Sequence, residues 1–308
     1  MLGVAIVHYH AESLLADCLR SLLASEVRPD RVCVVDNGSR DGLGWVPRLD
    51  PSLRVIRAPG NIGFGAASNM ALAHLREADH VLLLNPDVSV PSGTLGAMLA
   101  VLGEDASLGA ATCRLLRPSG ELDPACRRSD PTLLSGLARY LSLPAMFPGS
   151  ATIGAYNLTY LDETLAHDIG SGTAAFLLLT RAALDAVRGF DERFFLYGED
   201  LDLCRRIRQA GLRVRYDPRA TAVHVKGSGR IRSLQTTRHF YSAIWIYYRK
   251  WGRFRRNPVV LGGLGALLAL LFAREAAANA VRRGLGTLGR HRNPRQGASP
   301  STDEGAAG

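Results

Sequence analysis

The sequence predicts an α/β protein built on a Rossmann-like, doubly wound and mostly parallel sheet. Short apolar segments rich in β-branched residues alternate with segments in which apolar residues have helical spacing. Strands that alternate with helices form parallel sheets, because each helix returns the chain to the same edge. With 308 residues, 47% of them hydrophobic, the chain is long enough for one large α/β domain and an extension.

The predicted elements follow one another in a regular order over the first 90 residues. The predicted strands are GVAIVHY, RVCVVDNGS, LRVIRAP and HVLLLNPD, and the predicted helices are LLADCLRSLLAS and GAASNMALAHLREA. Residues 117–168 contain several prolines and little periodicity, so we expect variable loops and short elements there. Further on, IGSGTAAFLLLTRAAL predicts a turn, a buried strand and a helix start, and DLDLCRRIRQAG predicts a helix that stops at Gly211. LRVRYDP and ATAVHV predict strands or extended segments.

The basic character of the chain is local. Residues 1–225 hold 22 Lys/Arg and 25 Asp/Glu, whereas residues 226–256 hold nine Lys/Arg and no acid. This pattern predicts contact with anionic lipid or with a phosphorylated substrate. No nucleic-acid-binding motif accompanies the basic segment, so nucleic acid is not an expected partner.

An apolar run without charge follows, at residues 258–273. Its 16 residues fall short of the roughly 20 that a bilayer span requires. A buried helix, a re-entrant hairpin and an interfacial segment all remain open. The aromatic and basic residues before the run favour membrane contact. Residues 291–308 are predicted to be a disordered tail.

The cysteines and the first residues bear on the compartment. The five cysteines are scattered, with no CxxC pair, which predicts free thiols in a reducing environment. The start, MLGVAIVHYH, lacks a basic region and a small-residue cleavage site. We therefore expect it to be a first strand and not a signal peptide.

Two predicted strands end in acidic turns, at Asp36 and at Asp87. Ligands of open α/β sheets bind beyond the carboxyl ends of the strands, so both acids are expected at one crevice. Asp36 either forms an Asx turn with the Asn37-Gly38 bend or accepts hydrogen bonds from a nucleotide. The nearby glycines of GNIGFGAASN do not have dinucleotide-fingerprint spacing; they permit either a turn or the close approach of a ligand.

The segment LLLNPDVSV delivers Asn85 and Asp87 to a strand tip, with Pro86 fixing the backbone between them. A carboxylate at such a tip suits a hard divalent cation bound together with a diphosphate. An ordinary strand-to-turn exit explains the same residues equally well.

The segment RFFLYGEDLDLCRR, residues 193–206, gathers three carboxylates at a predicted helix start. Asp202 and Arg206 are four residues apart and are expected to pair on the exposed face. Glu199 and Asp200 lie where carboxylates cap a helix and are stabilised by its dipole. The preceding FFLYG would place an apolar wall beside them, and an ionised but poorly hydrated carboxylate is suited to general-base work.

Six motifs in order give the chain a resemblance to the family 2 glycosyltransferases of the GT-A fold, in their rhamnosyltransferase-like branch. The motifs are VVDNGSRDG, NIGFGAASN, LLLNPD, GSGTAAFLLLTRAAL, GFDERFFLYGEDLDLCRRIRQAG and VHVKGSG, and they span residues 3 to about 229. The resemblance implies a glycosyltransferase domain at 1–230. Residues 231–290, the basic, aromatic and apolar helical extension, lie outside it.

The resemblance also implies roles for individual residues. Asp36 would hold the nucleotide base, with Tyr9 and Asn61 nearby, and Asn85 would border the donor nucleotide. Asp87 takes the place of the family's metal site for Mg²⁺ or Mn²⁺, with Asn85 where many members have an acid. Asp200 matches the catalytic base, and Glu199 would orient the acceptor or cap the helix. His224 matches a histidine that helps to bind metal or diphosphate in some relatives, although a strand histidine with satisfied hydrogen bonds is the alternative.

By family analogy the enzyme inverts the anomeric centre of a sugar, with dTDP-rhamnose as the first donor and UDP- or GDP-sugars still open. The acceptor would be a glycan or a polyprenyl-diphosphate-linked sugar used in cell-surface polysaccharide synthesis. The protein would then be cytoplasmic and peripheral on the anionic inner face of the cell membrane. Two alternatives are a sugar nucleotidyltransferase and a non-catalytic glycan-binding protein. HYHAESLL, where a nucleotidyltransferase would have a basic glycine-rich loop, speaks against the first.

Overall fold

The computed structural model describes residues 1–40, 42–140, 143–147, 149–225 and 233–291. The predicted tail after residue 291, the proposed boundary between residues 230 and 231 and the last residues of the VHVKGSG motif lie outside these ranges.

Strands and helices alternate along most of the chain. The strands are β1 (Leu2–His8), β2 (Arg31–Asp36), β3 (Leu53–Arg57), β4 (His80–Leu84), β5 (Val88–Ser89), β6 (Leu108–Leu116), β7 (His167–Asp168), β8 (Phe176–Thr180) and β9 (Arg213–His224). The helices are α1 (Glu12–Leu23), α2 (Phe64–His74), α3 (Thr94–Gly103), α4 (Leu133–Tyr140), α5 (Leu143–Met146), α6 (Arg181–Val187), α7 (Glu199–Gln209), α8 (Leu234–Trp251) and α9 (Pro258–His291).

One mixed sheet forms the centre of the molecule. In the described part of the chain its order is β3-β2-β1-β4-β8-β6-β9-β5, and β7 pairs with β9. The first four strands are parallel, as are β6 and β9. Strand β8 runs antiparallel to both of its neighbours, β4 and β6. The predicted α/β fold is therefore confirmed, and the two segments expected before His224 form the single strand β9, with an irregularity near Asp217.

The core lies between the sheet and the helices on its two faces. All seven residues of β1 are buried, as are Val81–Leu84 in β4. Strands covered on both faces read as continuous apolar runs, which is how these segments appear in the sequence. The five cysteines are buried free thiols, as predicted.

Helix α8 packs against α7 instead of standing apart from it. Phe194 and Leu201 form a buried cluster with Ala243 and Tyr247 of α8. Since that cluster is apolar and excludes water, α8 stabilises the segment that carries Glu199 and Asp200.

The predicted pair of Asp202 and Arg206 forms, but its expected place on an exposed face is wrong. The Arg206 Nε donates to Asp202 Oδ2 at 2.8 Å, and the Asp202 side chain is fully buried. Helix α8 covers it: Trp251 Nε1 donates to Asp202 Oδ1 at 2.7 Å, and Lys250 Nζ lies 2.7 Å from the same oxygen. A buried carboxylate requires such partners, because it has lost its hydration.

The apolar run lies within α9, a single continuous helix, which excludes a re-entrant hairpin. Leu264 and Leu268 of α9 pack against Tyr241 and Tyr248 of α8. The opposite side is exposed. In length and composition, Pro258–Ala280 is apolar enough to cross a membrane: it has 23 residues with a mean hydropathy of 1.8, and only 6% of it is buried.

Candidate active site

The carboxyl ends of β1 and β2 bring Tyr9 and Asp36 to one edge of the sheet. His8 and Asp36 are paired in the parallel register, and Asn37 N–H donates to the His8 carbonyl at 2.8 Å. The Asn37 amide also donates to Asn61 Oδ1 at 3.2 Å, so the loop after β3 joins the same edge. Tyr9 is 49% exposed and therefore accessible to a ligand.

Asp36 stabilises the turn after β2, but through the N–H three residues on and not through the two-residue spacing of an Asx turn. Its Oδ1 accepts from Ser39 N–H at 2.8 Å, and its Oδ2 accepts from Arg57 Nε at 3.3 Å. Arg57 is well exposed, whereas the Asp36 side chain is only 2% exposed, so the ion pair joins a surface cation to a buried carboxylate.

Among the glycines of segment 60–69, Gly63 has the most restricted surroundings. It lies just before α2, against protein backbone. It has a φ of +90°, and a Cβ there would lie 2.6 Å from the Phe195 carbonyl oxygen. Phe64 N–H donates to that same carbonyl at 2.8 Å. Only glycine admits this approach. The contact between Gly63 and Phe195 therefore joins the segment before α7 to the side of the site that carries Asp36 and Asn61.

Asp87 lies beside His224 because β5 pairs with the end of β9, with Val88 opposite His224. His224 Nε2 is 3.2 Å from Asp87 Oδ1, and His224 Nδ1 is 2.9 Å from Asp123 Oδ2. Burial lowers the pKa of His224, but the hydrogen bonds to Asp123 and Asp87 outweigh burial, so the pKa lies above its ordinary value. The histidine is therefore held between two carboxylates.

These residues fit a divalent cation that is shared with a ligand. Asp87 Oδ1 is buried, and among the described residues the polar atom beside it is His224 Nε2, at 3.2 Å. Within those ranges no three His, Cys, Asp or Glu side chains are grouped to hold a metal by themselves. A hard cation takes six or more oxygen ligands, so the remaining ligands would be diphosphate oxygens and water.

Asp200 is buried at the start of α7 and paired with Arg128. Arg128 Nη2 donates to Asp200 Oδ2 at 2.8 Å and also contacts the Gly172 carbonyl, while Leu201 N–H donates to Asp200 Oδ1 at 2.8 Å. Burial lowers the pKa of Arg128, but the Asp200 charge outweighs burial and raises it, so the pair is ionic. Each carboxylate oxygen accepts one hydrogen bond and keeps a lone pair for a further donor.

The acids at 87 and 200 border the same end of the sheet. Asn85 N–H donates to the Ala175 carbonyl at 3.0 Å, where β4 ends beside the start of β8. Gly172 lies three residues before Ala175, and its carbonyl accepts from Arg128. Arg128 also donates to Asp200. Both acids are thus connected by short contacts to the start of β8.

Glu199 differs from its neighbour in having no cation against it. Burial, and then the Asp200 charge, raise the pKa of Glu199 to about 8. Its Oε2 is buried and has no hydrogen-bond partner within the described ranges. The raised pKa favours the protonated form of Glu199, which suits a hydrogen-bond donor better than a base.

Because the ordinary pKa of Glu199 is 4.5, the folded protein keeps a proton that the unfolded chain releases above that pH. This contribution to stability is complete below pH 4.5 and is lost as the pH rises through the raised pKa of the folded state. We expect Glu199→Gln to flatten the slope of stability against pH, as measured by urea unfolding between pH 5 and 8. Glu12→Gln, in the first turn of α1, is the matched control. An unchanged slope in Glu199→Gln would contradict the buried proton.

Two residues of the site were missed in the sequence, Asp123 and Arg128. Both lie in residues 117–168, where weak periodicity predicts variable loops. The available signals were an Asp-Pro pair, which begins the short 3₁₀ helix Pro124–Cys126, and the adjacent arginines that follow it.

An α/β sheet with acids after β2 and β4 and at the start of α7 is the arrangement expected of a GT-A glycosyltransferase. The model of the glycosyltransferase-like family 2 matches residues 2–253, so the chain belongs to that family and is a glycosyltransferase. It is 31% identical to the N-acetylglucosaminyl-diphospho-decaprenol L-rhamnosyltransferase of Mycobacterium tuberculosis, over 94% of this chain and 99% of the relative. It is 28% identical to the rhamnosyltransferase WbbL of Escherichia coli K12, over 73% and 83%.

Solved structures share the fold. The mannosyltransferase PcManGT from Pyrobaculum calidifontis, in complex with GDP-Man and Mn²⁺, aligns with a TM-score of 0.55 at 19% identity, over 93% of this chain and 80% of that one. GalNAc-T7 with UDP, GalNAc and Mn²⁺ gives 0.56 at 13% identity, over 83% and 50%. The GT-A architecture is confirmed by these likenesses.

Proposed function

We propose that this protein is an inverting transferase that moves rhamnose from dTDP-rhamnose to a sugar on a polyprenyl diphosphate, in the synthesis of a cell-surface polysaccharide. The observation that carries the proposal is the placement of Asp87, with His224, and Asp200, with Arg128, at one end of the sheet. The rhamnosyltransferases among the relatives support the donor sugar. The decaprenyl-diphosphate sugar in the name of the mycobacterial relative supports the acceptor.

On the donor side, Tyr9, Asp36 and Asn61 would hold the nucleoside, and Asn85 would border the diphosphate. Asp87 and His224 would hold Mg²⁺ or Mn²⁺, which when bound neutralises the charge that develops on the leaving nucleoside diphosphate.

On the acceptor side, Asp200 would take the proton of the attacking hydroxyl. The acceptor oxygen forms a bond to the anomeric carbon as the bond from that carbon to the diphosphate oxygen breaks, and the proton moves to the Asp200 carboxylate. A single displacement of this kind inverts the anomeric centre. Arg128 would orient the carboxylate, and Glu199 would orient the acceptor or cap the helix.

The test is a comparison of nucleotide-sugars with the full chain, Mn²⁺ and an undecaprenyl-diphosphate-linked N-acetylglucosamine. We expect release of dTDP from dTDP-rhamnose and a rhamnosylated lipid of inverted configuration by NMR. Release of pyrophosphate would favour the nucleotidyltransferase, and turnover only with a UDP- or GDP-sugar would refute the assigned donor.

The α8–α9 pair would bring the enzyme to this acceptor. Glu275 of α9 accepts a hydrogen bond from the Tyr241 hydroxyl at 2.8 Å, which holds α9 along α8. Because α8 is packed on the catalytic helix α7, α9 cannot cross a bilayer without drawing that helix in. We therefore favour an interfacial position, with the exposed apolar face of α9 in the lipid and the exposed Arg253, Arg255 and Arg256 at the headgroups.

A chain ending at residue 257 is expected to lose membrane binding and keep its fold. The cut leaves α8 in place, because α8 completes the cluster around Phe194 and Leu201. Flotation with phosphatidylcholine–phosphatidylglycerol vesicles measures binding. Replacing Arg253, Arg255 and Arg256 with glutamine is expected to cost about 1 kcal/mol per residue on these vesicles. Equal flotation of the shortened and full chains would contradict the proposal.

A further inference from the structure

The two acids of the site are joined by one short piece of chain. Residues 123–128, here called the bridging segment, begin with Asp123, which contacts His224 on the donor side. They end with Arg128, which contacts Asp200 on the acceptor side. We propose that the bridging segment fixes both halves of the active site, with Asp123 and Arg128 as its positioning residues; this inference rests on the proposed function.

The bridging segment is itself firmly held. Asp123 Oδ1 accepts from Ala125 N–H at 3.1 Å and so caps the 3₁₀ helix, and the Cys126 side chain is fully buried. Asn157 Nδ2 donates to the Pro124 carbonyl at 2.8 Å. Arg128 and Ser171 exchange backbone hydrogen bonds at 2.9 and 2.8 Å. A segment anchored in this way can hold its two terminal side chains at a constant separation.

At the donor end, Asp123 orients His224. The Asp123 carboxylate accepts from His224 Nδ1, which directs the Nε2 atom toward Asp87. Metal-binding histidines commonly hold their second ring nitrogen against a carboxylate, and that partner fixes the tautomer and the ring orientation. Asp123 is 1% exposed, so its carboxylate is not available to solvent and serves its neighbours.

At the acceptor end, Arg128 sets the direction of Asp200. Its Nη2 is shared between Asp200 Oδ2 and the Gly172 carbonyl, and the side chain is only 10% exposed. The groups around this pair that could also influence its charge are Glu199, Cys204 and Tyr156. Arg128 is the one cation in hydrogen-bond contact with Asp200 among the described residues.

The two ends predict different kinetic effects. Loss of Arg128 should act on turnover and on the acidic limb of the pH profile, since the carboxylate loses both its orientation and its cation. Loss of Asp123 should act on the metal-dependent affinity for the nucleotide. If the segment only stabilised the fold, both substitutions would lower turnover and metal-dependent nucleotide affinity to a similar extent.

For the acceptor end, the experiment measures kcat and kcat/KM against pH with dTDP-rhamnose, Mn²⁺ and undecaprenyl-diphosphate-linked N-acetylglucosamine. We expect Arg128→Met to lower kcat about 100-fold, the order of effect of a small misplacement, and to move the acidic limb to higher pH. Arg128→Lys should keep the limb in place, because the charge remains. Arg114→Met is the matched control, since Arg114 lies outside the bridging segment and pairs with Glu163; its limb should not move.

For the donor end, calorimetry with dTDP and Mn²⁺ measures affinity without turnover. We expect Asp123→Ala to weaken Mn²⁺-dependent dTDP binding at least 10-fold, Asp123→Asn to weaken it less, and Arg128→Met to leave it unchanged. Thermal melting provides a second measurement for variants that fold poorly. The double variant Arg128→Met, Asp200→Asn should have a higher melting temperature than Arg128→Met alone, because it lacks the unpaired buried carboxylate.

The outcomes separate the two levels of the argument. If the wild-type chain transfers rhamnose and Arg128→Met keeps normal turnover and an unmoved acidic limb, the role of Arg128 is refuted. Unchanged Mn²⁺-dependent affinity in Asp123→Ala refutes the role of Asp123. A wild-type chain that transfers no sugar refutes the proposed function and this inference with it.

Discussion

Replacing Asp200 with asparagine is expected to lower kcat for sugar transfer about 1,000-fold, within the range that general-base catalysis contributes. An amide has nearly the same shape as the carboxylate but cannot take the proton of the acceptor hydroxyl. Arg128 keeps its contacts with Gly172 and Ser171, so we expect the variant to fold. Donor affinity should stay near the wild-type value, because the proposed nucleotide-binding residues do not include Asp200.

The measurement is release of nucleoside diphosphate under single-turnover conditions, with dTDP binding followed in parallel by calorimetry. Asp130→Asn is the matched control. Asp130 forms an ion pair with Arg208 of α7, the helix that also carries Asp200, but it is not one of the proposed catalytic groups. It should stay within about twofold of the wild-type rate. A folded Asp200→Asn variant with near-normal turnover would show that Asp200 is not the base.

Replacing Asp87 with alanine is expected to weaken Mn²⁺-dependent binding of dTDP about 100-fold, since loss of even an outer partner of a metal costs 10- to 100-fold. The change removes the buried Oδ1 that lies 3.2 Å from His224 Nε2, and it leaves His224 with Asp123 as its remaining carboxylate partner. Binding measured in EDTA should be equal for the variant and the wild type, because the metal contribution is absent from both.

Asp79→Ala provides the control for this second prediction. Asp79 precedes β4, so it lies at the opposite end of the strand that delivers Asp87, and its side chain is largely exposed. We expect Asp79→Ala to bind Mn²⁺ and dTDP like the wild type. Equal metal-dependent affinity in Asp87→Ala and the wild type would remove Asp87 from the metal site.

Much of the candidate site follows from local patterns. Asp36 and Asp87 could be placed at strand ends because an apolar run followed by turn residues marks the point where a strand leaves the sheet. The start of α7 at Glu199 followed from helical periodicity and from the acids of its first turn. Each of these inferences uses residues within about ten positions of one another.

The residues that pair with Asp200 and His224 could not be predicted from local patterns. Arg128 is 72 residues from Asp200, and Asp123 is 101 residues from His224. Neither lies in a periodic segment, so no pattern of hydrophobicity marks it. The same limit explains the error at Asp202: spacing within α7 identified Arg206 correctly, but only tertiary packing brings Trp251 and Lys250 of α8 over the pair.

By itself, therefore, the sequence determined the α/β class, the acids at the strand tips and at the helix start, and the basic and apolar character of the C-terminal region. The tertiary structure decided which acid has a cation, which is held by a histidine, and which remains protonated. The physical reason is that periodicity depends on neighbouring residues, whereas the charge state of a buried carboxylate depends on groups that only folding brings within hydrogen-bond distance.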